Sequence, residues 1–225
     1  MKVSEALSRR KSTRAFLQQD IEPEKLWRIL DAARHAPSGV NTQPWQVAVV
    51  TGAAKQQLQQ QLEKAFHSGE EQRMDYQYYP LQWQEPYKSR RIECGLQLYS
   101  SLGITRQDKE RRQEQWAANY RAFDAPAALF FFIEPSLETG SYMDYGMFLM
   151  AVMLMAVEEG LATCPQAALG EYPQLVKRYL DYPEHLLLLG GLAIGYEDTA
   201  APVNQYRTRR EPVESFTRFF RDDST

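Results

Sequence analysis

The sequence predicts an α+β fold in which helices cover a central mixed sheet, and three apolar runs carry that prediction. Residues 47–52, 125–134 and 185–196 are nearly continuous in apolar side chains, the pattern of strands buried on both faces. Helical patterns separate these runs, so the sheet has helices available to cover it. The 225 residues contain no repeat, low-complexity tract or linker, and we expect a single domain over residues 1–225.

The helical segments differ in how strongly they are amphipathic. Residues 23–36 place Leu26, Ile29 and Ala33 on one face, with Pro23 in the first turn and Pro37 as the stop. Further helices are predicted over four segments: 56–66, 90–102, 105–122 and 173–180. Residues 68–90 are aromatic and broken by prolines, which favours an ordered loop or lid.

The segment 141–160 is apolar almost all round, so it must be covered on every side. That requirement places it at the centre of the domain or at a subunit interface. Its longest apolar run, 146–157, is too short for a bilayer, and we expect no membrane association.

Composition excludes several classes of function. A net charge of −3 gives no case for nucleic acid as the main partner. Two cysteines far apart, Cys94 and Cys164, form no disulfide framework, and the N-terminus lacks a signal peptide, so we expect a reducing, cytoplasmic setting.

Motifs for side-chain chemistry are missing from the sequence. It has no GxxxxGK[ST], GxGxxG, GxSxG or HExxH pattern, and its three histidines do not cluster, so no metal site is predicted. Chains that are poor in reactive side chains often leave the reaction to a cofactor.

The segment "RRKSTRAF", residues 9–16, is a candidate phosphate site. In an extended backbone Arg10, Ser12 and Arg14 alternate and point the same way, and arginine binds phosphate in a bidentate manner. The alternative is a solvated basic stretch with Ser12 as a helix cap.

The segment "PSGVNTQPW", residues 37–45, is suited to a flat polar ligand. Pro37, Ser38 and Gly39 expose backbone that a ring can approach closely, while Asn41 and Gln43 offer donors and acceptors. The alternative is a helix stop and a turn.

Two later segments are weaker candidates. "TCPQAALGEYP", residues 163–173, offers backbone N–H groups between two helices, or is an ordinary tight connection. "YRTRREP" carries Arg207, Arg209 and Arg210, or is a solvated tail.

Together these four segments resemble the FMN-dependent nitroreductase family, and within it the nitrobenzoate-reducing members. The resemblance runs from Arg9 to Phe216. It implies a variable helical or lid insertion at about 67–123 and a C-terminal arm at about 202–225.

The family resemblance implies a homodimer with FMN at each of two interface sites. The phosphate, ribityl chain and pyrimidine edge would be held by Arg10, Lys11, Ser12 and Arg14. Arg207 and Arg210 would return to the phosphate. Arg209 competes with Arg210 for this contact. The other subunit would cover the ring and ribityl face with Pro37, Ser38, Gly39 and Asn41.

The resemblance also implies a contact at flavin N5. Pro165, Gln166, Ala167 and Ala168 would lie there, with the Ala167 backbone N–H as donor and no catalytic side chain. Many relatives carry Gly-Gly or Glu-Gly in this loop and Lys in place of Arg14, so these positions depart from the family pattern.

The implied activity is reduction of small nitroaromatic or quinone-like substrates by NAD(P)H in a ping-pong mechanism. Two alternatives stay open. One is different flavin chemistry on this fold, such as reductive dehalogenation or flavin breakdown, and the other is a non-catalytic flavin-binding protein. The aromatic residues of 76–87 either roof the pocket or pack under a long loop.

Overall fold

The computed structural model describes residues 1–220, which form seven α-helices and four β-strands. The helices are α1 Val3–Arg9, α2 Pro23–Ala33, α3 Gly52–Ser68, α4 Tyr87–Ser101, α5 Lys109–Ala117, α6 Thr139–Glu158 and α7 Pro173–Leu180. The strands are β1 Gln46–Thr51, β2 Ala127–Ile133, β3 Ala162–Gln166 and β4 Leu187–Gly195. Residues 221–225 of the expected C-terminal arm lie outside the described part.

The sheet has the strand order β1-β2-β4-β3, and every neighbouring pair is antiparallel. A mixed sheet was expected. Within residues 1–220, parallel pairing is limited to an isolated bridge between Ser12 and Thr163. That bridge attaches the chain after α1 to the edge strand β3, and it matters for the candidate site.

Strand β2 divides the core into two layers. Its seven residues are all buried. Successive side chains point to opposite faces, so Phe130 and Phe132 join a cluster with α3 and α7, while Leu129 and Phe131 join one with α2 and α6. This two-sided burial explains why the strand is an unbroken apolar run.

Strand β3 and helix α1 are elements that the sequence patterns did not predict. Pro165 argues against a strand because it has no backbone N–H. It is tolerated here because β3 is an edge strand, with Pro165 opposite Leu192. Helix α1 has only seven residues and one buried position, Ala6, so it carries almost no periodic signal.

The predicted strands and helices are otherwise present, with shifted ends. Helix α2 ends at Ala33 rather than at residue 36, and α4 begins at Tyr87, inside the predicted loop. Helix α5 spans Lys109–Ala117 rather than 105–122. Ala122, Phe123 and Asp124 have φ angles of 52°, 52° and 57°, so the end of the predicted segment cannot be a right-handed helix.

Helix α6 buries one face and exposes the other. Tyr145, Phe148 and Val152 pack in the core, whereas Met143 and Met147 are 74% and 41% exposed. By length and apolar composition alone α6 could cross a membrane, as could the core helices of many globular proteins. The face of α6 that carries Met143 and Met147 is therefore exposed in the single chain.

Two glycines in β4 allow the chain after β3 to lie close against the sheet. Gly190 has φ +138°, and a Cβ there would lie 2.9 Å from the Gln166 backbone oxygen. A Cβ on Gly191 would lie 2.6 Å from Leu169 Cδ1 and 2.9 Å from the Leu129 oxygen. Only glycine fits at positions 190 and 191 without displacing these atoms.

We therefore expect Gly191→Ala to destabilise the protein by about 1–3 kcal/mol, the usual cost of overpacking a core. Gly140→Ala, in the first turn of α6, is the control because a Cβ there meets no atom within 4 Å. That control should be neutral or stabilising by up to about 1 kcal/mol. The free energy of unfolding in urea measures both, and equal values would contradict the close approach.

Candidate functional site

A cavity of about 310 Å³ lies where two distant segments of the chain meet. Residues 10–14 follow α1, and residues 206–210 belong to the C-terminal arm. Ser12 lines this cavity together with four arginines, which are Arg10, Arg14, Arg207 and Arg210.

Local backbone geometry directs the first pair. Helix α1 ends at Arg9, and Arg10 already has an extended backbone with φ −57° and ψ 129°. The bridge from Ser12 to Thr163 keeps this segment against β3. Because alternate residues of an extended segment point the same way, Arg10, Ser12 and Arg14 all line the cavity.

The cavity is strongly cationic. Among residues 1–220, no carboxylate lies within 4 Å of the guanidinium groups of Arg10, Arg14, Arg207 or Arg210. Burial lowers the pKa of Arg10, and the nearby charges of Arg210 and Arg207 lower it further. An arginine stays protonated even so. The arrangement therefore favours binding of an anion, which would offset the mutual repulsion of the guanidinium groups.

Lys11 also lines the cavity, but its ammonium is already paired. It lies 2.6 Å from the Glu197 carboxylate and donates to the Asn204 backbone oxygen. The sequence did not decide whether Arg209 or Arg210 contacts the phosphate. Arg210 lines the cavity, where its Nη1 donates to Thr208 Oγ1 at 2.7 Å, and Arg209 is absent from the lining.

Five further lining residues were not among the predicted ones, and two of them, Leu7 and Ser8, belong to α1. Tyr206 and Thr208 flank Arg207 in the arm, and Cys94 enters from α4. The segment 67–123 was treated as variable, so nothing in its pattern pointed to a contact with the arginines. Helix α4 is also joined to the arm by an ion pair of 3.2 Å between Arg90 and Glu211.

The loop after α2 is the second candidate surface, and it is separate from the cavity. Pro37, Ser38, Gly39 and Asn41 do not line the cavity within one chain. The loop turns through positive φ angles at Val40, Asn41 and Gln43, of 44°, 60° and 48°. Val40 is 97% exposed, so the tip is uncovered.

Helix α6 holds this loop in place. Asp144 Oδ2 accepts a hydrogen bond from the Gly39 N–H at 3.1 Å. One turn later Phe148 stacks on Trp45, with ring centroids 4.8 Å apart. Ser38 Oγ closes the loop by accepting from the Gln43 N–H at 2.9 Å. Asp144 was not among the predicted residues, because an aspartate in an apolar helix gives no sign of its partner.

The segment 165–168 follows β3, and buried polar contacts fix its surroundings. Pro165 and Gln166 lie in β3, while Ala167 and Ala168 begin a 3-10 turn over 167–170. The Gln166 Nε2 donates to the Asn119 backbone oxygen at 3.0 Å, while its buried Oε1 has no hydrogen-bond partner among the described residues.

The chain just after that turn is fixed by a second buried contact. Tyr120 donates to the Glu171 carboxylate. Burial raises the pKa of Glu171, and the bond from Tyr120 opposes that rise. The turn over 167–170 is thus held at both ends.

The aromatic lid has an anchored half and an exposed half. Asp75 forms an ion pair of 3.1 Å with buried Lys177 and accepts from the Leu188 N–H at 2.9 Å. Tyr76 donates to the Leu189 oxygen at 2.9 Å. Beyond it Tyr79 contacts Tyr78 and Trp83 with centroid distances of 4.5 and 5.8 Å, and both tyrosines are exposed. Packing is therefore shown for Asp75 and Tyr76, and a roof over the pocket stays a prediction for the exposed residues.

Residues 1–220 contain no group of three or more His, Cys, Asp or Glu side chains that could hold a metal ion.

Comparison with known proteins gives consistent matches over most of the chain. The model of the nitroreductase family matches residues 7–196. The nitrobenzene nitroreductase of Ectopseudomonas oleovorans is 33% identical over 218 residues, which cover 96% of each chain. The 4-nitrobenzoate reductase of Pseudomonas putida is 35% identical over 210 residues, 93% of this chain and 92% of the relative.

A solved structure is similar throughout its length. The FMN and NADPH-dependent nitroreductase NfnB from Sphigopyxis sp. strain HMH superposes with a TM-score of 0.95 at 40% identity. The match covers 98% of this chain and 99% of that one.

Proposed function

The chain belongs to the nitroreductase family, as its sequence motifs indicate, and we propose that it is an FMN-dependent oxidoreductase. In this proposal it uses NAD(P)H to reduce nitroaromatic or quinone-like substrates. The single observation that carries the proposal is the cavity with four guanidinium groups and no carboxylate partner among the described residues. The similar NfnB structure is of an enzyme described as FMN and NADPH-dependent.

The residues of the cavity fit the phosphate of FMN. Arginine binds phosphate through paired N–H groups, and the Ser12 hydroxyl supplies a further donor. A phosphate near neutral pH carries close to two negative charges. Arg10, Arg14, Arg207 and Arg210 would hold this group, with Lys11 as a weaker contributor because Glu197 already neutralises it.

The remainder of the cofactor needs uncharged surfaces. The loop containing Pro37, Ser38, Gly39 and Asn41 would cover the ring and ribityl face. The segment Pro165–Ala168 would contact N5 through the Ala167 N–H. Bound FMN would supply the redox chemistry by taking a hydride from NAD(P)H and passing electrons to the acceptor. No side chain is assigned as an essential acid or base.

A homodimer accounts for the exposed apolar surface. Met143 and Met147 on α6 lie uncovered, as do Val3 and Leu7 on α1. An apolar patch of this kind is typical of an interface. The loop at 37–41 is separate from the cavity in one chain, so we propose that each cofactor site combines the cavity of one subunit with the loop of the other.

The substrate class follows from the lid and from the relatives. Exposed Tyr78 and Tyr79 offer ring faces on which an electron-poor aromatic substrate can stack. The two curated relatives are named for nitrobenzene and 4-nitrobenzoate. We propose a small nitroaromatic acceptor and, since both cysteines are free, a reducing compartment such as the cytoplasm.

The cavity predicts that FMN binds more tightly than riboflavin, which has no phosphate. Arg10→Ala, Arg14→Ala and Arg210→Ala should each weaken FMN binding by about 1.5–3 kcal/mol, the usual contribution of a charged hydrogen bond. Arg209→Ala is the matched control, because Arg209 does not line the cavity. Fluorescence titration of the apoprotein measures these affinities. Equal wild-type affinity for the two flavins would refute the phosphate site.

The interface predicts that dimerisation and flavin binding are lost together. Met147→Asp places a charge on the exposed face of α6 and should give monomers with weakened FMN binding. Gln60→Asp, on the exposed side of α3, should leave both properties unchanged. Sedimentation at micromolar concentration, with flavin absorbance recorded alongside protein absorbance, measures both. A monomeric wild type that retains FMN would contradict the two-subunit site.

We propose that NAD(P)H and the acceptor stack in turn on the same exposed face of the flavin, which predicts ping-pong kinetics. NAD(P)H and a nitroarene would take turns, so double-reciprocal plots at several NAD(P)H concentrations should be parallel. Replacing His35, His67 or His185 should lower kcat less than about tenfold, below the usual contribution of general acid–base catalysis. Intersecting lines would indicate a ternary complex. Wild-type protein that binds FMN but is not reduced by NAD(P)H without oxygen would instead be a non-catalytic flavin-binding protein.

A further inference from the structure

Four guanidinium groups converge on the cavity from two segments that repel each other. Arg10 and Arg14 lie on one segment, while Arg207 and Arg210 lie on the other. Burial lowers the pKa of Arg10, and the charges of Arg210 and Arg207 across the cavity lower it further. Some contact must hold them together before an anion binds.

The buried side chain of Asn204 makes that contact. It is 2% exposed and lies in the arm, just before the residues that line the cavity. Its Oδ1 accepts a hydrogen bond from the Arg14 N–H at 2.8 Å. Its Nδ2 donates to the backbone oxygens of Ala15 and Asp198, each at 2.8 Å.

These partners fix the orientation of the amide. The oxygen faces an N–H, and the nitrogen faces two carbonyl oxygens, so a flipped amide would put like groups together at all three contacts. Both donor hydrogens are used. The bonds are also neutral, so salt does not screen them as it screens interactions between charges.

Neighbouring contacts extend the same junction. Lys11 donates to the Asn204 backbone oxygen and pairs with Glu197 at 2.6 Å. The Asp198 N–H donates to the Ala15 oxygen at 3.1 Å. In the arm, Arg207 donates to the Arg9 backbone oxygen, which attaches the arm to the end of α1.

The geometry points to Asn204 as a positioning residue for the phosphate site. It does not line the cavity, and it acts by holding the backbone of Arg14 against the arm that carries Arg207 and Arg210. The role rests on the proposed function, since it concerns the phosphate of FMN. It is a role for this chain's own residue that the arginine motifs alone do not require.

The test is the ratio of FMN to riboflavin affinity in Asn204→Ala. Loss of the side-chain bonds should weaken FMN binding about tenfold or more, of the order expected when one hydrogen bond to a charged group is lost. Riboflavin affinity should stay within about twofold, since riboflavin does not use the phosphate site. Saturating FMN should restore wild-type kcat with NAD(P)H and a nitroarene.

Gln205→Ala is the matched control. Gln205 is the next residue of the arm, is exposed, and makes a single side-chain bond of 3.3 Å to Ala200. It should leave the FMN to riboflavin ratio unchanged. Asn204→Ser, which keeps one polar group at the buried position, should fall between wild type and Asn204→Ala.

Two outcomes would overturn the role of Asn204. One is an equal loss of both affinities, or no loss of either. The other is failure of both Asn204 variants to fold even with FMN, which would assign the residue to the core in general. Wild-type protein that does not prefer FMN over riboflavin would instead refute the proposed phosphate site, whatever the variants do.

Discussion

Repulsion between like charges is the constraint on which the arrangement of this molecule depends. Four guanidinium groups lie around one cavity, and their like charges repel one another. The backbone that carries them must therefore be fixed by other contacts. The parallel bridge from Ser12 to Thr163 and the amide of Asn204 do this on the two sides of the segment.

Helix α6 connects the core to the second candidate surface. Phe148 is both a core residue and the stacking partner of Trp45, and Tyr145 donates to the Gln46 oxygen at 2.9 Å. One turn before Phe148, Asp144 holds Gly39. The loop at 37–41 thus has a defined shape within a single chain, although Val40 at its tip is exposed. Phe148 therefore both packs in the core and helps to position the loop through Trp45.

The sequence was most informative where a single physical requirement dominated. Strand β2 is buried on both faces, so its apolar run identified it, and the alternation of Arg10, Ser12 and Arg14 matched their common placement at the cavity. Strand β3 was missed because Pro165 lowers strand propensity, and only its position at the sheet edge makes it acceptable.

Long-range polar contacts were the other part that the sequence could not supply. Asn204 and Asp144 bind backbone atoms of residues 14 and 39, and no local pattern encodes such partners. The choice between Arg209 and Arg210 likewise depends on the path of the arm. That path is set by tertiary contacts rather than by propensity.

The aromatic segment from Asp75 to Trp83 has an anchored half and an exposed half, and this division affects which of its residues can vary. Its first half is fixed to the fold by Asp75 and Tyr76, through partners in α7 and β4. Its second half, with Tyr78, Tyr79 and exposed Leu81, makes few contacts with the core. New side chains can therefore be exchanged in the outer half without losing core packing. Substitutions in the outer half therefore change the exposed surface, whereas substitutions of Asp75 or Tyr76 change contacts that stabilise the fold.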